Sequence, residues 1–217
     1  MATNSAPVPV RRSGRGAQAS RNDGLILAAA RAVFLADPRA PIAAVAAAAG
    51  VGISALYRRY PSKEDLLRRL CHDGLLTFIA EAEAADAEAD DWGAFAAFAE
   101  RIVDADVHSL TVHLAGTFTP TDEMHADALR ADALTARLFS RGQASGRLRE
   151  DVVADDLAFL LEGAAALRLP DAARTAELRR RYVALFLDAL ASRTAHVLPG
   201  PAPSGAELNW RWQASGG

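Results

Sequence analysis

An all-helical fold follows from three features of this 217-residue sequence. Alanine dominates its 51% hydrophobic content, β-branched residues are sparse and aromatics make up 6%, and apolar residues recur at three- and four-residue spacings. A chain of this length can bury a sizeable core as one large domain or as a small and a medium one. No apolar run approaches the roughly 20 residues that span a bilayer, and the opening MATNSAPVPVRRSGRG lacks the apolar centre of a secretory signal. A cytoplasmic protein with no membrane partner is expected. The single cysteine, Cys71, excludes an internal disulfide and a cysteine-cluster metal site.

The net charge of -3 hides an asymmetry. Residues 1 to 63 carry nine Lys/Arg and two acids, leaving fifteen basic and twenty-five acidic residues for 64 to 217. A basic head on an acidic body points to a polyanion as the partner of the head alone, or to a basic tail that is merely solvated.

In order along the chain, residues 1 to 20 lack apolar periodicity and read as a disordered basic arm. Leu25, Ile26, Ala29, Val33 and Phe34 then share one helical stripe, with Asn22 or Asp23 able to cap its start and Asp37-Pro38 to end it. Ile42 to Ala49 predicts a second helix with Pro41 in its first turn, stopped at Gly50. Gly50-Val51-Gly52 is a tight turn, and Ile53 to Tyr60 a helix of about two turns. Pro61-Ser62 closes it, and Ser62 with Asp65 forms a capping-box-like start for the next. Two short helices across a glycine turn, packed on a longer first helix, make a helix-turn-helix.

In the second of these helices Leu56 points inward, with Tyr60 one turn on partly beneath it. The face left outside carries Ser54, Ala55, Tyr57, Arg58 and Arg59. Small residues permit close approach to base edges, and hydroxyl and guanidinium donors suit phosphates and guanine. Lys63, the only lysine, stands at the next helix start, where backbone amides also favour an anion. A merely solvated face would rarely gather so many phosphate donors, free of acids, within eleven residues.

Ala49-Gly50-Val51, Leu56-Tyr57, Arg58-Arg59, Tyr60, Ser62-Lys63-Glu64 and Leu66-Leu67, in this spacing, resemble the DNA-binding domain of the tetracycline-repressor (TetR) family over about residues 22 to 70. The resemblance implies DNA contacts from Ile53, Ser54, Ala55, Tyr57, Arg58, Arg59, Tyr60 and Lys63. Two positions depart from the pattern. Pro41 stands where the family often has a hydroxyl residue that touches phosphate, and Ile53 replaces a commonly polar residue, which suits a thymine methyl.

Beyond Lys63 a long amphipathic helix runs to about Ala85 and ends among acids. Cys71 lies on its apolar side, which fits a small packed residue better than a redox sensor. Residues 92 to 142 predict two or three helices interrupted near Gly116 to Thr121. The resemblance implies an effector pocket there, with Phe98, Ile102, His108, His113, Thr117, Phe118 and Met124 as candidates to line it; singly, each reads equally as core. His108, His113 and His125 lack the spacings that put two ligands on one helical face, so no metal site is expected. Gly142 to Arg149 reads as a linker, followed by helices from Asp155 and from about Ala173 to Ser192. In the resembled family such a pair builds the dimer interface, here through Leu157, Leu161, Ala164, Tyr182, Leu185, Phe186 and Ala189.

The domains expected are thus the arm 1 to 20, a helix-turn-helix domain 21 to 66, an effector and dimerisation domain 67 to 194, and a flexible tail 195 to 217 with Trp210 and Trp212. The function expected is a sequence-specific, DNA-binding transcriptional regulator: a homodimeric repressor released from a double-stranded DNA operator by a small-molecule effector, with no cofactor. The competing reading is a helical small-molecule-binding or enzymatic protein whose basic head reads no sequence. No nucleophile-base pair, phosphate loop or metal spacing supports an enzyme.

Overall fold

The computed structural model describes residues 13–114, 116–191 and 198–207, with side chains from residue 21 onward apart from residues 111–113. Trp210, Trp212 and the first twelve residues of the basic arm lie outside the described residues. Among the described residues there are nine helices and no strand: α1 Ser13–Ala36, α2 Ile42–Ala49, α3 Ile53–Arg59, α4 Lys63–Asp86, α5 Asp91–Asp104, α6 Val107–Leu114, α7 Asp122–Ala144, α8 Ala154–Ala166 and α9 Ala172–Leu190. They form two compact units, with the boundary between Lys63 and Glu64.

In the first unit α1 packs on α2 and α2 on α3. Ile26, Ala30 and Phe34, one turn apart along α1, are buried together with Ile42, Val45 and Ala46 of α2 and Leu56 of α3. α1 begins at Ser13, well before the start expected at Asn22 or Asp23, which lie inside the helix. The Asp23 carboxylate accepts from Arg59 and Tyr60. α2 stops where Gly50 adopts φ +65°, a left-handed conformation open to glycine at little cost. There the Gly50 N–H bonds back to the Ala47 carbonyl and the Val51 N–H to the Ala46 carbonyl.

The second unit is organised around α5, which packs against α6, α7, α8 and α9. Trp92, Phe95, Phe98 and Ile102 line its inward stripe and meet Leu138 and Phe139 of α7, Leu157 and Leu161 of α8, and Val183 and Leu187 of α9 in one core. Side-chain caps set three helix starts: Asp90 accepts from the Gly93 N–H, Thr121 from Met124, and Asp171 from Ala173 and Arg174. Gly142, expected to open a linker, lies within α7 instead. A Cβ there would come within 2.9 Å of the Phe95 ring, so glycine lets α7 approach α5. Beyond α9, the Leu198 N–H donates to Asp151, so part of the expected tail docks on this unit.

Of the residues expected at a dimer interface, Leu157, Leu161 and Ala164 lie inward in the single chain. All three are buried within this chain's own core, because α8 turns them toward α5 and α6. The outward side of α8 carries Phe159, Gly163 and Ala166, and α9 exposes Tyr182, Leu185 and Ala189 beside half-buried Phe186.

Candidate functional site

The axes of α2 and α3 bend by 110° across the Gly50–Gly52 turn, within the range of DNA-reading helix-turn-helix motifs. α3 is only seven residues long, too short to stand alone. Leu56, fully buried, fixes one side of it. Ile53 (40% exposed), Ser54, Tyr57 (46%) and Arg58 therefore face solvent, with Ala55 half-buried beside them.

Tyr60 does not belong to that face. It is buried, and its hydroxyl donates to Asp23 Oδ1 at 2.6 Å. Arg59 is exposed but held: Nε donates to Asp23 Oδ1 at 2.7 Å and Nη2 to Oδ2 at 3.0 Å, a fork that also raises the guanidinium pKa above its ordinary value. Lys63 is likewise engaged. Its ammonium donates to the carbonyls of Pro38 and Ala40, both at 2.9 Å, and sits 4.9 Å from the Phe34 ring centroid. It ties the turn after α1 to the start of α4. Composition missed Asp23 as a functional residue, although its being one of two acids among the first 63 residues was a signal.

In the second unit a cavity of about 320 Å³ lies against Phe78, Phe98, His108, Leu157 and Leu161, with Asp132, Thr135 and Asp155 on its polar side. Two of the expected pocket residues, Phe98 and His108, line it; Ile102 borders a crevice of only about 10 Å³. Phe118 and Met124 are buried outside that lining, and Thr117 is exposed, its hydroxyl turned to the Leu114 carbonyl. Phe118 and Met124 are core here, because α7 begins only at Asp122 and its cavity face comes two turns later. The side chain of His113 lies outside the described residues.

His108 packs edge-on against Phe78, 5.9 Å between centroids, and its Nε2 is buried with no hydrogen-bond partner among the described residues. Burial lowers its pKa to about 4, against the opposing charges of Glu162 and Asp106, so the ring is neutral at pH 7. Cys71 is also largely buried, and its thiol is pushed up to about 12, which leaves almost no thiolate for redox chemistry.

Periodicity gave no hint of Arg179. This buried guanidinium of α9 donates to the carbonyls of Ala165 (2.7 Å) and Leu167 (3.1 Å) and pairs with Asp106, whose backbone is left-handed at φ 52°. It fastens the end of α8 to the turn between α5 and α6.

Among the described residues no group of His, Cys, Asp and Glu could hold a metal, and no single helix is long and apolar enough to cross a membrane. No curated protein sequence matches the chain. Residues 26–70 match the model of bacterial regulatory proteins of the tetR family. Similar solved structures span nearly the whole of their own chains. The TetR-like regulator LfrR from Mycobacterium smegmatis, solved with proflavine, is 25% identical over 82% of this chain and 99% of its own, with a TM-score of 0.60. The TetR-family regulator PfmR from Thermus thermophilus is 23% identical, covering 76% and 96%, also at 0.60. A TetR regulator from Streptomyces coelicolor is 24% identical, covering 80% and 99%, at 0.54. Residues 26–70 thus carry a DNA-binding domain of the tetR regulator type, and the fold of the chain as a whole is similar to that of solved TetR-family transcriptional regulators.

Proposed function

We propose that the protein is a homodimeric repressor that leaves its operator when a small molecule enters the second unit. The observation that carries the DNA half is the outer face of α3, where Ser54, Tyr57 and Arg58 stand exposed across a 110° bend from α2. Ile53, Ser54, Ala55, Tyr57 and Arg58 meet the major groove and its phosphates, with half-sites one turn of about 34 Å, or a multiple, apart. Arg59 and Lys63 act chiefly by holding α3 and the turn before α4, since each already has partners in the chain.

A double-stranded operator selected from genomic fragments provides the test. Arg58→Ala and Tyr57→Ala each weaken specific binding by about 1–3 kcal/mol. Binding unchanged in both, or with no sequence preference in the unaltered protein, would overturn the reading in favour of a helical binding protein or enzyme whose basic head reads no DNA.

The dimer half rests on the apolar stripe of Phe159, Tyr182 (42% exposed), Leu185 (51%), Phe186 and Ala189 on α8 and α9. Paired across a two-fold axis, two such helix pairs make a four-helix interface. Leu185→Glu yields a monomer in sedimentation velocity; a surviving dimer would reject that face. The effector half rests on the cavity beside Phe98 and His108, of a size suited to a drug-sized molecule. The similar structure LfrR was solved with proflavine, which favours a small molecule here too.

A further inference from the structure

The cavity's chemistry narrows what can fill it. Its walls are apolar and aromatic: Phe78 and Phe98 meet edge-to-face at 5.6 Å, with Leu157 and Leu161 nearby. Its charged groups are of one sign, because Asp132 of α7 and Asp155 of α8 line it and, among the described residues, no lysine or arginine does. Neither carboxylate has an ion-pair partner among the described residues. This is unusual on a surface where Arg130, Arg137 and Arg141 of the same α7 all find acids. The two carboxylates also feel one another: Asp132 holds its proton above the ordinary carboxylate range, first through partial burial and then through the charge of Asp155. Deeper in, His108 Nε2 is a buried polar atom with no partner among the described residues, and the charge of Glu162 adds negative field around that ring, that of Asp106 being offset by Arg179.

We infer that the cavity takes a hydrophobic organic cation, its apolar body against Phe78, Phe98 and Leu161, its positive centre between Asp132 and Asp155, and a polar substituent at His108 Nε2. The inference rests on the effector reading above and deepens it by naming the ligand's charge. A cation relieves the repulsion between the carboxylates and gains from the ring faces. An anion of the same shape meets two acids and the negative field around His108.

Tetraphenylphosphonium and tetraphenylborate, alike in shape and opposite in charge, test this by calorimetry on the full chain. The phosphonium binds once per chain, and the borate at least about tenfold more weakly. Asp132→Asn with Asp155→Asn lowers phosphonium affinity about tenfold or more. Asp132→Lys, at an exposed position that folding tolerates, reverses the preference. Ala158→Trp, which fills the cavity from α8, removes binding of both ions. Equal affinity for the two ions overturns the inference, as does full phosphonium affinity in the double variant with native circular dichroism.

Adding operator DNA separates this inference from the reading beneath it. If the phosphonium binds in a carboxylate-dependent way yet leaves DNA bound, the cation site stands and the effector reading falls. If both ions release DNA equally, from the double variant as well, the effector reading stands and the cation site falls.

Discussion

The two units use charge in opposite directions. In residues 21 to 63 the cations are arranged from within: one acid, Asp23, holds Arg59 and Tyr60, two carbonyls hold Lys63, and Arg58 is left outward on α3. In the second unit a cation, Arg179, is buried as a fastener, and the acids Asp132 and Asp155 border an apolar cavity. The first works by what a short helix exposes and the second by what five helices enclose. A substitution on the exposed face of the first should therefore change DNA binding at small cost in stability, and one among the buried groups of either unit should cost stability first. Five variants test that contrast.

The largest effect is expected at Arg179. It is 5% exposed and supplies the Ala165 and Leu167 carbonyls and Asp106 with charged donors. Arg179→Met keeps much of the volume and removes every donor, at a cost of about 3–5 kcal/mol. Denaturant unfolding of the second unit measures it. A loss below about 1 kcal/mol would mean that the network is solvated and fastens nothing.

His108 comes next and gives a pH signature. Its folded pKa of about 4 lies below the 6.5 of an unfolded histidine. As pH falls from 6.5 toward 4 the unfolded chain binds a proton that the folded ring refuses. Stability contributed by the neutral ring is thus complete above pH 6.5 and declines below it, by up to about 3 kcal/mol. His108→Gln flattens that part of the slope. Identical urea midpoints for the two proteins from pH 7 to 4.5, after allowing for a constant offset, would show that the ring is protonated at no cost.

In the first unit Asp23→Asn removes the charge that holds Arg59 and weakens the acceptor of Tyr60, with a stability loss of about 1–2 kcal/mol. The variant is also more positive by one charge, which alone would strengthen binding to any DNA. Specific affinity falling about tenfold while nonspecific affinity holds or rises identifies Asp23 as a positioning residue. A rise in both would mean that Arg59 is better used when freed.

The difference between the units also explains what the sequence revealed. The helix-turn-helix depends on local spacing: Gly50 at a left-handed turn, Leu56 inside, Tyr57 and Arg58 outside, all within nine residues. Such a pattern survives in one dimension. The cavity joins Phe78, Phe98, His108, Asp132 and Asp155 from five helices, and only packing brings them together. Phe98 and His108 came into view only because the family resemblance implies a pocket on these helices, whereas Asp132 and Asp155 look like any acids on a helix surface. On α8, the choice between Leu157 and Phe159 as outward residues turned on a rotation that a helix apolar on both sides does not declare. Tethers such as Asp23 to Arg59 span 36 residues and leave no trace in local periodicity.

The smallest effect is expected at Lys63, where the contrast is sharpest, because a lysine beside a DNA-reading helix reads as a phosphate donor. Two of its three N–H donors already go to carbonyls and the ammonium lies over the Phe34 ring, so at most one donor is left for a phosphate unless those bonds are given up. Lys63→Met should cost about 1 kcal/mol of stability and leave the salt dependence of operator binding nearly unchanged. Arg58→Ala should do the opposite, with stability held and the log-log salt slope shallower by about 1 per chain. Measuring affinity across a range of potassium chloride for both variants distinguishes them. If Lys63→Met flattens the slope as much as Arg58→Ala, the ammonium leaves its carbonyls for DNA, and the first unit exposes a cation that its free form keeps inside.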